Sequence, residues 1–213
     1  MNELKHILKQ NIWFLLPYVL FVFTGIVFLY VFPKNEGFLL LNKLHSPLFD
    51  NFFKYITHLG DGLFVLAVIV LLLFKKIQWG ILTFWAFIFS GAITQALKNF
   101  VFDDVVRPTL GVGENIVHMV EGVEMNHYLS FPSGHSTAAF ALFFSLALIN
   151  YNSKLGVLYF VVAFLAAYSR IYLSQHFPED ILAGSLIGVS TTLLVFAFLS
   201  PKMGKWADRS LMR

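Results

Sequence analysis

Arg170, His176 and Asp180 lie within eleven positions of one another, between two long apolar runs, and their types suit joint chemistry. Asp180 follows His176 by four positions, so one helical turn would place both side chains on one face. A carboxylate there holds one imidazole nitrogen as a donor and leaves the other free to attack. Arg170 offers a rigid fork of donors for a phosphate or carboxylate, and Pro178 suits the first turn of a new helix. Polar residues that only cap helix ends in the lipid headgroup region would give a similar sequence pattern. The other motifs of the chain are therefore needed to distinguish the two interpretations.

A second candidate cluster, Ser133, Gly134 and His135, stands directly before another apolar run. Serine and glycine suit a helix N-terminus, where free backbone N–H groups and the helix dipole attract an anion. Glycine also lets the backbone approach a ligand closely. The alternative interpretation is an ordinary serine cap beside a histidine in the headgroup region.

Lys98 and Arg107 are two further candidate ligands for an anion, near the end of a third apolar run. Stop-transfer bases beside a span would occupy the same positions. Together with Arg170 they would supply three cations, next to helix-terminal amides, two histidines and a carboxylate. Phosphoryl transfer needs these parts, namely positioning, charge neutralisation, a nucleophile and a proton donor.

The composition is that of a membrane protein with several spans. Of the 213 residues, 58% are apolar, 17% are aromatic and only 13% are charged. The net charge of +3 does not indicate nucleic-acid binding, because the bases cluster at the ends of the apolar runs. Cysteine is absent from the sequence, which excludes disulfides, thiolate chemistry and a cysteine metal site.

The apolar runs predict an all-α fold, a polytopic membrane helix bundle that forms a single domain over residues 1–213. We expect an uncleaved first span near the N-terminus and six transmembrane helices in all, at about 12–32, 60–75, 77–97, 134–150, 155–170 and 180–199. In residues 44–59, Leu48, Phe52 and Ile56 recur at every fourth position among polar residues. This spacing predicts an amphipathic helix that lies in the membrane interface.

The distribution of basic residues predicts the orientation in the cell membrane. With the N-terminus in the cytoplasm, nine Lys and Arg residues lie inside and six outside. We therefore expect both termini in the cytoplasm. The third span then ends outside at Lys98, the fourth begins outside at Ser133, the fifth ends outside at Arg170, and the sixth begins outside near His176. Four helix ends would thus bring their polar residues to one extracytoplasmic face.

The long loop between Phe100 and Phe131 carries a regular series of potential metal ligands, at three-residue intervals: His118, Glu121, Glu124 and His127. Such a series could form a metal site. A solvated lid over the site is the interpretation that we prefer, since long loops often cover sites.

Three motifs together resemble the type 2 phosphatidic acid phosphatases, whose superfamily includes vanadium haloperoxidases and glucose-6-phosphatase. The motifs are Lys98 with Arg107-Pro108, then Pro132-Ser-Gly-His135, then Ser169-Arg170 with His176 and Asp180. The second and third match the family pattern without a gap. In the first, eight residues separate the lysine from the arginine where the family pattern has six, and the longer loop contains Asp103 and Asp104.

The resemblance implies a role for each matching residue. His176 would be the nucleophile that forms a phosphohistidine, Asp180 would orient it, and His135 would protonate the leaving alkoxide. The phosphate would be bound by Lys98, Arg107, Ser133, Gly134 and Arg170. The resemblance implies no metal and no other cofactor.

The resemblance implies a membrane phosphatase that acts on lipid phosphates or diphosphates, such as phosphatidic acid, phosphatidylglycerol phosphate, undecaprenyl diphosphate or lipid A. The partners would be this phospholipid or polyprenyl phosphate substrate and the membrane lipids, without nucleic acid. A phosphatase of small soluble esters, like glucose-6-phosphatase, is the enzymatic alternative. The alternative of another class is a lipid-phosphate binding or transport protein. Transporters usually place ionisable residues within their spans. The apolar cores of the six predicted spans, at 12–32, 63–74, 77–97, 136–150, 155–169 and 181–199, contain no Asp, Glu, Lys or Arg.

Overall fold

The computed structural model describes residues 7–151 and 153–211, and these form a helical bundle with one long loop. The predicted all-α membrane bundle is confirmed. Two of the bases used to predict the orientation, Lys5 and Arg213, lie outside the described residues. The helices that build the bundle are α1 (Ile12–Val31), α2 (Lys34–Asn42), α3 (Pro47–Ile56), α4 (Gly62–Lys75), α5 (Ile77–Phe100), α6 (Gly134–Ile149), α7 (Leu155–Tyr172) and α8 (Pro178–Leu199).

Within the described ranges, four helical segments are individually long and apolar enough to cross a membrane. They are α1, α5, α7 and the segment Pro178–Lys202 that continues α8. These four correspond to the predicted spans at 12–32, 77–97, 155–170 and 180–199. A 20-residue helix covers about 30 Å, the thickness of the hydrocarbon core, which is why length identifies such spans.

The other two predicted spans are shorter than a free-standing span. The one predicted at 60–75 is α4, which has 14 residues and follows α3 and a 3₁₀ turn (Thr57–Gly60) at a bend of 55°. The one predicted at 134–150 is α6, which has 16 residues and is almost wholly buried among α5, α7 and α8. A helix that is enclosed by other helices does not have to match the thickness of the lipid. It can therefore be shorter than the roughly 20 residues that a lipid-exposed span needs.

The segment between α1 and α4 contains one helix that was predicted and one that was not. The expected amphipathic helix at 44–59 is present as α3 and the 3₁₀ turn, with Leu48 and Phe52 exposed. Helix α2 was not predicted, although Glu36 in its first turn favours a helix start. It is short, and it matters because Asn42 at its end donates to the backbone carbonyls of Ile171 and Tyr172, both at 3.0 Å.

Close packing of α6 against α8 positions two segments of the candidate site. A Cβ atom added at Gly184 would lie 2.5 Å from the carbonyl oxygen of Ser133, and one at Gly188 would lie 2.6 Å from that of Thr137. Only glycine permits this approach of the two backbones. The N–H of Ser133 donates to the carbonyl oxygen of Asp180 at 3.0 Å. The start of α6 is therefore held directly against the start of α8.

Candidate active site

His176 and Asp180 form a buried pair at the start of α8. The distance from His176 Nδ1 to Asp180 Oδ2 is 3.2 Å, and the side chains are 2% and 0% exposed. The prediction that one helical turn carries both residues is wrong, because α8 begins at Pro178 and His176 precedes it. Asp180 lies in the first turn and its carboxylate reaches back to the imidazole. With Nδ1 held as a donor, Nε2 is left for attack.

The Asp180 carboxylate is fixed by two further donors on the same oxygen. Oδ2 accepts from the Ser130 hydroxyl at 2.5 Å and from the Phe177 backbone N–H at 2.9 Å. Ser130 was not identified from the sequence. It lies in the long loop, fifty positions from its partner, and nothing in its sequence neighbourhood signals the contact.

His176 lies in a strongly positive and poorly solvated environment. Burial lowers its pKa well below the ordinary value, and the nearby charges of Arg107, Arg170 and Lys98 lower the pKa further. The imidazole is therefore neutral around pH 7, which is the form that a nucleophile requires.

The first two candidate cations are held by backbone carbonyls of the long loop. Lys98 Nζ donates to the carbonyl oxygen of Leu129 at 2.6 Å, and Arg107 Nε donates to that of Tyr128 at 2.9 Å. Lys98 is buried and lies within electrostatic range of Arg107 and Arg170. Although eight residues separate Lys98 from Arg107, their side chains therefore bind adjacent carbonyl groups of the loop and lie close together.

Gln175 connects the two arginines and was missed by the sequence analysis. Its Oε1 accepts from Arg107 Nη1 at 3.0 Å and from Arg170 Nη2 at 3.4 Å, and the residue is 1% exposed. Its Nε2 donates to the carbonyl oxygen of Glu124 at 3.2 Å, which fixes the orientation of the amide. A neutral acceptor at this position sets the spacing of two guanidinium groups without cancelling their charge.

Arg170 retains a donor that no described residue satisfies. Nη1 donates to the hydroxyl of Thr57 at 2.9 Å, whereas Nε is buried and has no hydrogen-bond partner in residues 7–151 and 153–211. A buried donor without an acceptor is costly. An oxyanion bound at this position would remove that cost.

The N-terminus of α6 leaves room for an anion. The Ser133 hydroxyl caps the helix by accepting from the N–H of Ser136 at 3.3 Å. A Cβ atom at Gly134 would have no neighbour within 4 Å, so a ligand can approach the backbone there. His135, one position further on, lines a cavity of about 250 Å³ and lies within electrostatic range of His176. All eight predicted site residues thus lie at the same end of the bundle.

The three-residue series in the long loop does not converge on one point. His118 Nε2 lies 2.7 Å from an Asp50 oxygen, whereas His127 Nε2 lies 3.7 Å from a Glu114 oxygen. Among the described residues, no group of three or more His, Cys, Asp or Glu side chains is placed to hold a metal ion. What the loop contributes to the site is the Arg107 side chain, the carbonyl oxygens of Glu124, Tyr128 and Leu129, and the Ser130 hydroxyl.

Sequence comparisons place this geometry in a known family. The family model described as the PAP2 superfamily matches residues 79–203 of the chain. The lipid A 4'-phosphatase of Bacteroides thetaiotaomicron is 28% identical over 159 residues, which is 70% of this chain and 69% of that protein. The undecaprenyl-diphosphatase BcrC of Bacillus subtilis is 27% identical over 158 residues, which is 72% of this chain and 77% of that one.

A solved structure has the same fold. The crystal structure of Aquifex aeolicus LpxE matches with a TM-score of 0.67 and 28% sequence identity. The match covers 76% of this chain and 94% of that one. The family resemblance seen in the sequence motifs is therefore confirmed by both kinds of comparison.

Proposed function

Because this chain belongs to the PAP2 superfamily, we propose that it is an integral-membrane, metal-independent phosphatase of lipid phosphate monoesters or diphosphates. Its relatives include proteins named for both chemistries, a lipid A 4'-phosphatase and an undecaprenyl-diphosphatase. The single observation that carries the proposal is the buried His176–Asp180 pair beside three cations.

His176 is the nucleophile of the proposed reaction. Its Nε2 attacks phosphorus, the bond from phosphorus to the leaving oxygen breaks, and a phosphohistidine forms. Asp180 holds the tautomer and stabilises the charge that develops on the ring. His135 donates a proton to the leaving alkoxide. Water then attacks the phosphohistidine, His135 takes up a proton from it, and inorganic phosphate leaves.

The phosphate is held by Lys98, Arg107, Arg170 and the N-terminus of α6 at Ser133 and Gly134. Three cations neutralise the phosphoryl oxygens as the transition state forms, which is the role that Mg²⁺ has in other phosphoryl-transfer enzymes. The unsatisfied Nε of Arg170 supports an oxyanion at this position.

We further propose that the site opens on the extracytoplasmic face, with both termini in the cytoplasm. The support is the excess of basic residues at the other ends of the spans. The natural chain contains no cysteine, so a single cysteine introduced at Asn115 is a unique label in the long loop. It should react with a membrane-impermeant maleimide in intact cells. Reaction only after lysis would reverse the orientation.

The function is tested by turnover of purified protein on a panel of lipid phosphates and diphosphates in detergent, with glucose 6-phosphate as the soluble ester. We expect phosphate release from a lipid substrate, inhibition by vanadate, and loss of activity in His176→Ala. His58→Ala is the matched control, because that histidine is largely exposed. Vanadate-sensitive turnover of the soluble ester alone would support the soluble-ester alternative. Binding of lipid phosphate without turnover would support a binding or transport protein.

A further inference from the structure

The guanidinium group of Arg170 is oriented by two neutral side chains. Its Nη2 donates to Gln175 Oε1 at 3.4 Å, whereas its Nη1 donates to the Thr57 hydroxyl at the shorter distance of 2.9 Å. Thr57 and Arg170 are both buried. Thr57 is therefore the closer of these two contacts. It fixes the plane of the guanidinium group, and with it the direction of the Nε that has no partner among the described residues.

Thr57 is attached to the amphipathic helix α3, which carries none of the predicted site residues. The backbone N–H of Thr57 donates to the carbonyl oxygen of Phe53, so the 3₁₀ turn that follows α3 continues that helix without a break. The same turn packs against the start of α6, because a Cβ atom added at Gly60 would lie 2.7 Å from the carbonyl oxygen of His135. A displacement of α3 would therefore displace groups that contact both Arg170 and His135.

The outer face of α3 carries an exposed apolar stripe. It consists of Leu48, Phe52 and Tyr55, which are 76%, 41% and 68% exposed and whose spacing places them on one side of the helix. Asp61 alone separates the 3₁₀ turn from α4, an apolar helix that begins at Gly62. The apolar stripe thus lies next to the point where the chain enters the hydrocarbon core. The partner that it fits is the surface of the lipid bilayer.

We propose that Thr57 is a positioning residue for Arg170, and that α3 makes this positioning depend on contact with the lipid surface. When the apolar stripe binds the bilayer, the turn after α3 holds the Thr57 hydroxyl at Nη1, and Nε is directed at the phosphate. When the stripe is detached, the guanidinium group keeps its charge and loses its orientation, on which phosphate binding depends. Because phosphate binding by Arg170 belongs to the proposed phosphatase function, this role of Thr57 rests on that function.

The contact between Thr57 and Arg170 is tested by the inhibition constant of inorganic phosphate, measured on protein in phosphatidylcholine nanodiscs. A competitive inhibition constant does not depend on the substrate, so the substrate is the one that the wild type hydrolyses fastest. Thr57→Val should weaken inhibition about tenfold and Thr57→Ser should restore most of it, because one hydrogen bond is removed or kept. Thr192→Val is the matched control, since it removes a buried hydroxyl that donates to Ala141 and should leave inhibition unchanged.

The dependence on lipid is tested by replacing two residues of the apolar stripe. Leu48→Ser combined with Tyr55→Ser should weaken inhibition by phosphate roughly threefold or more in the same nanodiscs. It should have no further effect when Thr57→Val is also present, because both changes act through one hydrogen bond. Leu71→Ser, at an exposed apolar position of α4, is the control and should leave inhibition unchanged. Additive effects of the stripe and Thr57 substitutions, or no effect of the stripe, would overturn the dependence on lipid.

The wild-type and Thr57 proteins separate failure of this role from failure of the proposed function. If the wild type releases phosphate from no lipid phosphate and from no soluble ester, the phosphatase proposal fails, and the role of Thr57 fails with it. If the wild type is active and Thr57→Val is inhibited by phosphate as strongly as the wild type, only the role of Thr57 is wrong. Equal weakening in Thr57→Val and Thr57→Ser would also overturn it, because the serine hydroxyl can still accept from Arg170.

Discussion

Substitution of Gln175 tests how Arg107 and Arg170 are positioned to bind phosphate. Gln175→Glu keeps the shape of the side chain and adds a negative charge between Arg107 and Arg170. A phosphate bound to the same guanidinium groups would lie about 5 Å from that charge. At an effective dielectric constant of about 20, the repulsion is roughly 3 kcal/mol. Affinity for phosphate should therefore fall by a factor of roughly 10².

Gln175→Leu should lower the stability of the protein and leave its affinity for phosphate nearly unchanged. It leaves two guanidinium N–H groups without their acceptor, which costs about 1–3 kcal/mol of stability while the site is empty. A bound phosphate can accept from the freed groups, so affinity should change by less than about tenfold, the worth of roughly one hydrogen bond. Gln175→Glu loses the hydrogen bond from Nε2 to the Glu124 carbonyl oxygen. Its carboxylate forms ion pairs with both arginines, which offset that loss, so we expect its Tm to stay close to that of the wild type.

The assay is competitive inhibition by inorganic phosphate, measured beside the Tm of each variant in the same detergent. The expected result is weak inhibition with a retained Tm for Gln175→Glu, and near-normal inhibition with a lowered Tm for Gln175→Leu. If both variants weaken inhibition by the same factor, Gln175 is only a packing residue and the charge argument is refuted.

Four further predictions concern the histidines, their carboxylate and the cations. His135→Ala should lose about 10²–10⁴-fold on a lipid phosphate and much less on p-nitrophenyl phosphate, whose leaving group needs no proton; equal losses without a burst would refute the acid role. Ser130→Ala should lower kcat by loosening Asp180, and Ser130→Thr should recover part of it; unchanged kcat in the alanine variant would contradict this. EDTA should leave activity unchanged, because three cations supply the positive charge; rescue by Mg²⁺ after EDTA would argue otherwise. Histidine NMR should show His176 neutral below pH 6.5, because its folded pKa is lowered; stability should fall as pH drops below 6.5, since the unfolded chain takes up that proton first.

The convergence of the candidate site could be predicted because its members sit at helix ends. Once the apolar runs are assigned as spans, alternation across the membrane places Lys98, Ser133, Arg170 and Asp180 at one end of the bundle. The contact between His176 and Asp180 was also expected from their spacing. The geometry of this contact was not expected. The helix begins at Pro178, after the histidine, so the Asp180 carboxylate extends back toward the His176 ring.

The supporting contacts could not be predicted, because they join positions far apart in the sequence and involve neutral groups. Gln175 meets Arg107 across 68 positions, and Ser130 meets Asp180 across 50. Neither residue belongs to a charge pattern or to a hydrophobic period. The bounds of α6, by contrast, were predicted to within one residue, as 134–150 against the observed Gly134–Ile149.

The shared oxygen of Asp180 makes one backbone amide a reporter of the site. The N–H of Phe177 and the Nδ1–H of His176 donate to the same carboxylate oxygen, and Phe177 is fully buried. Deuterium can replace the Phe177 amide hydrogen only when that carboxylate has turned away, and the histidine has then lost its alignment as well. The exchange rate at this single amide therefore measures, without substrate, how often the nucleophile is out of alignment.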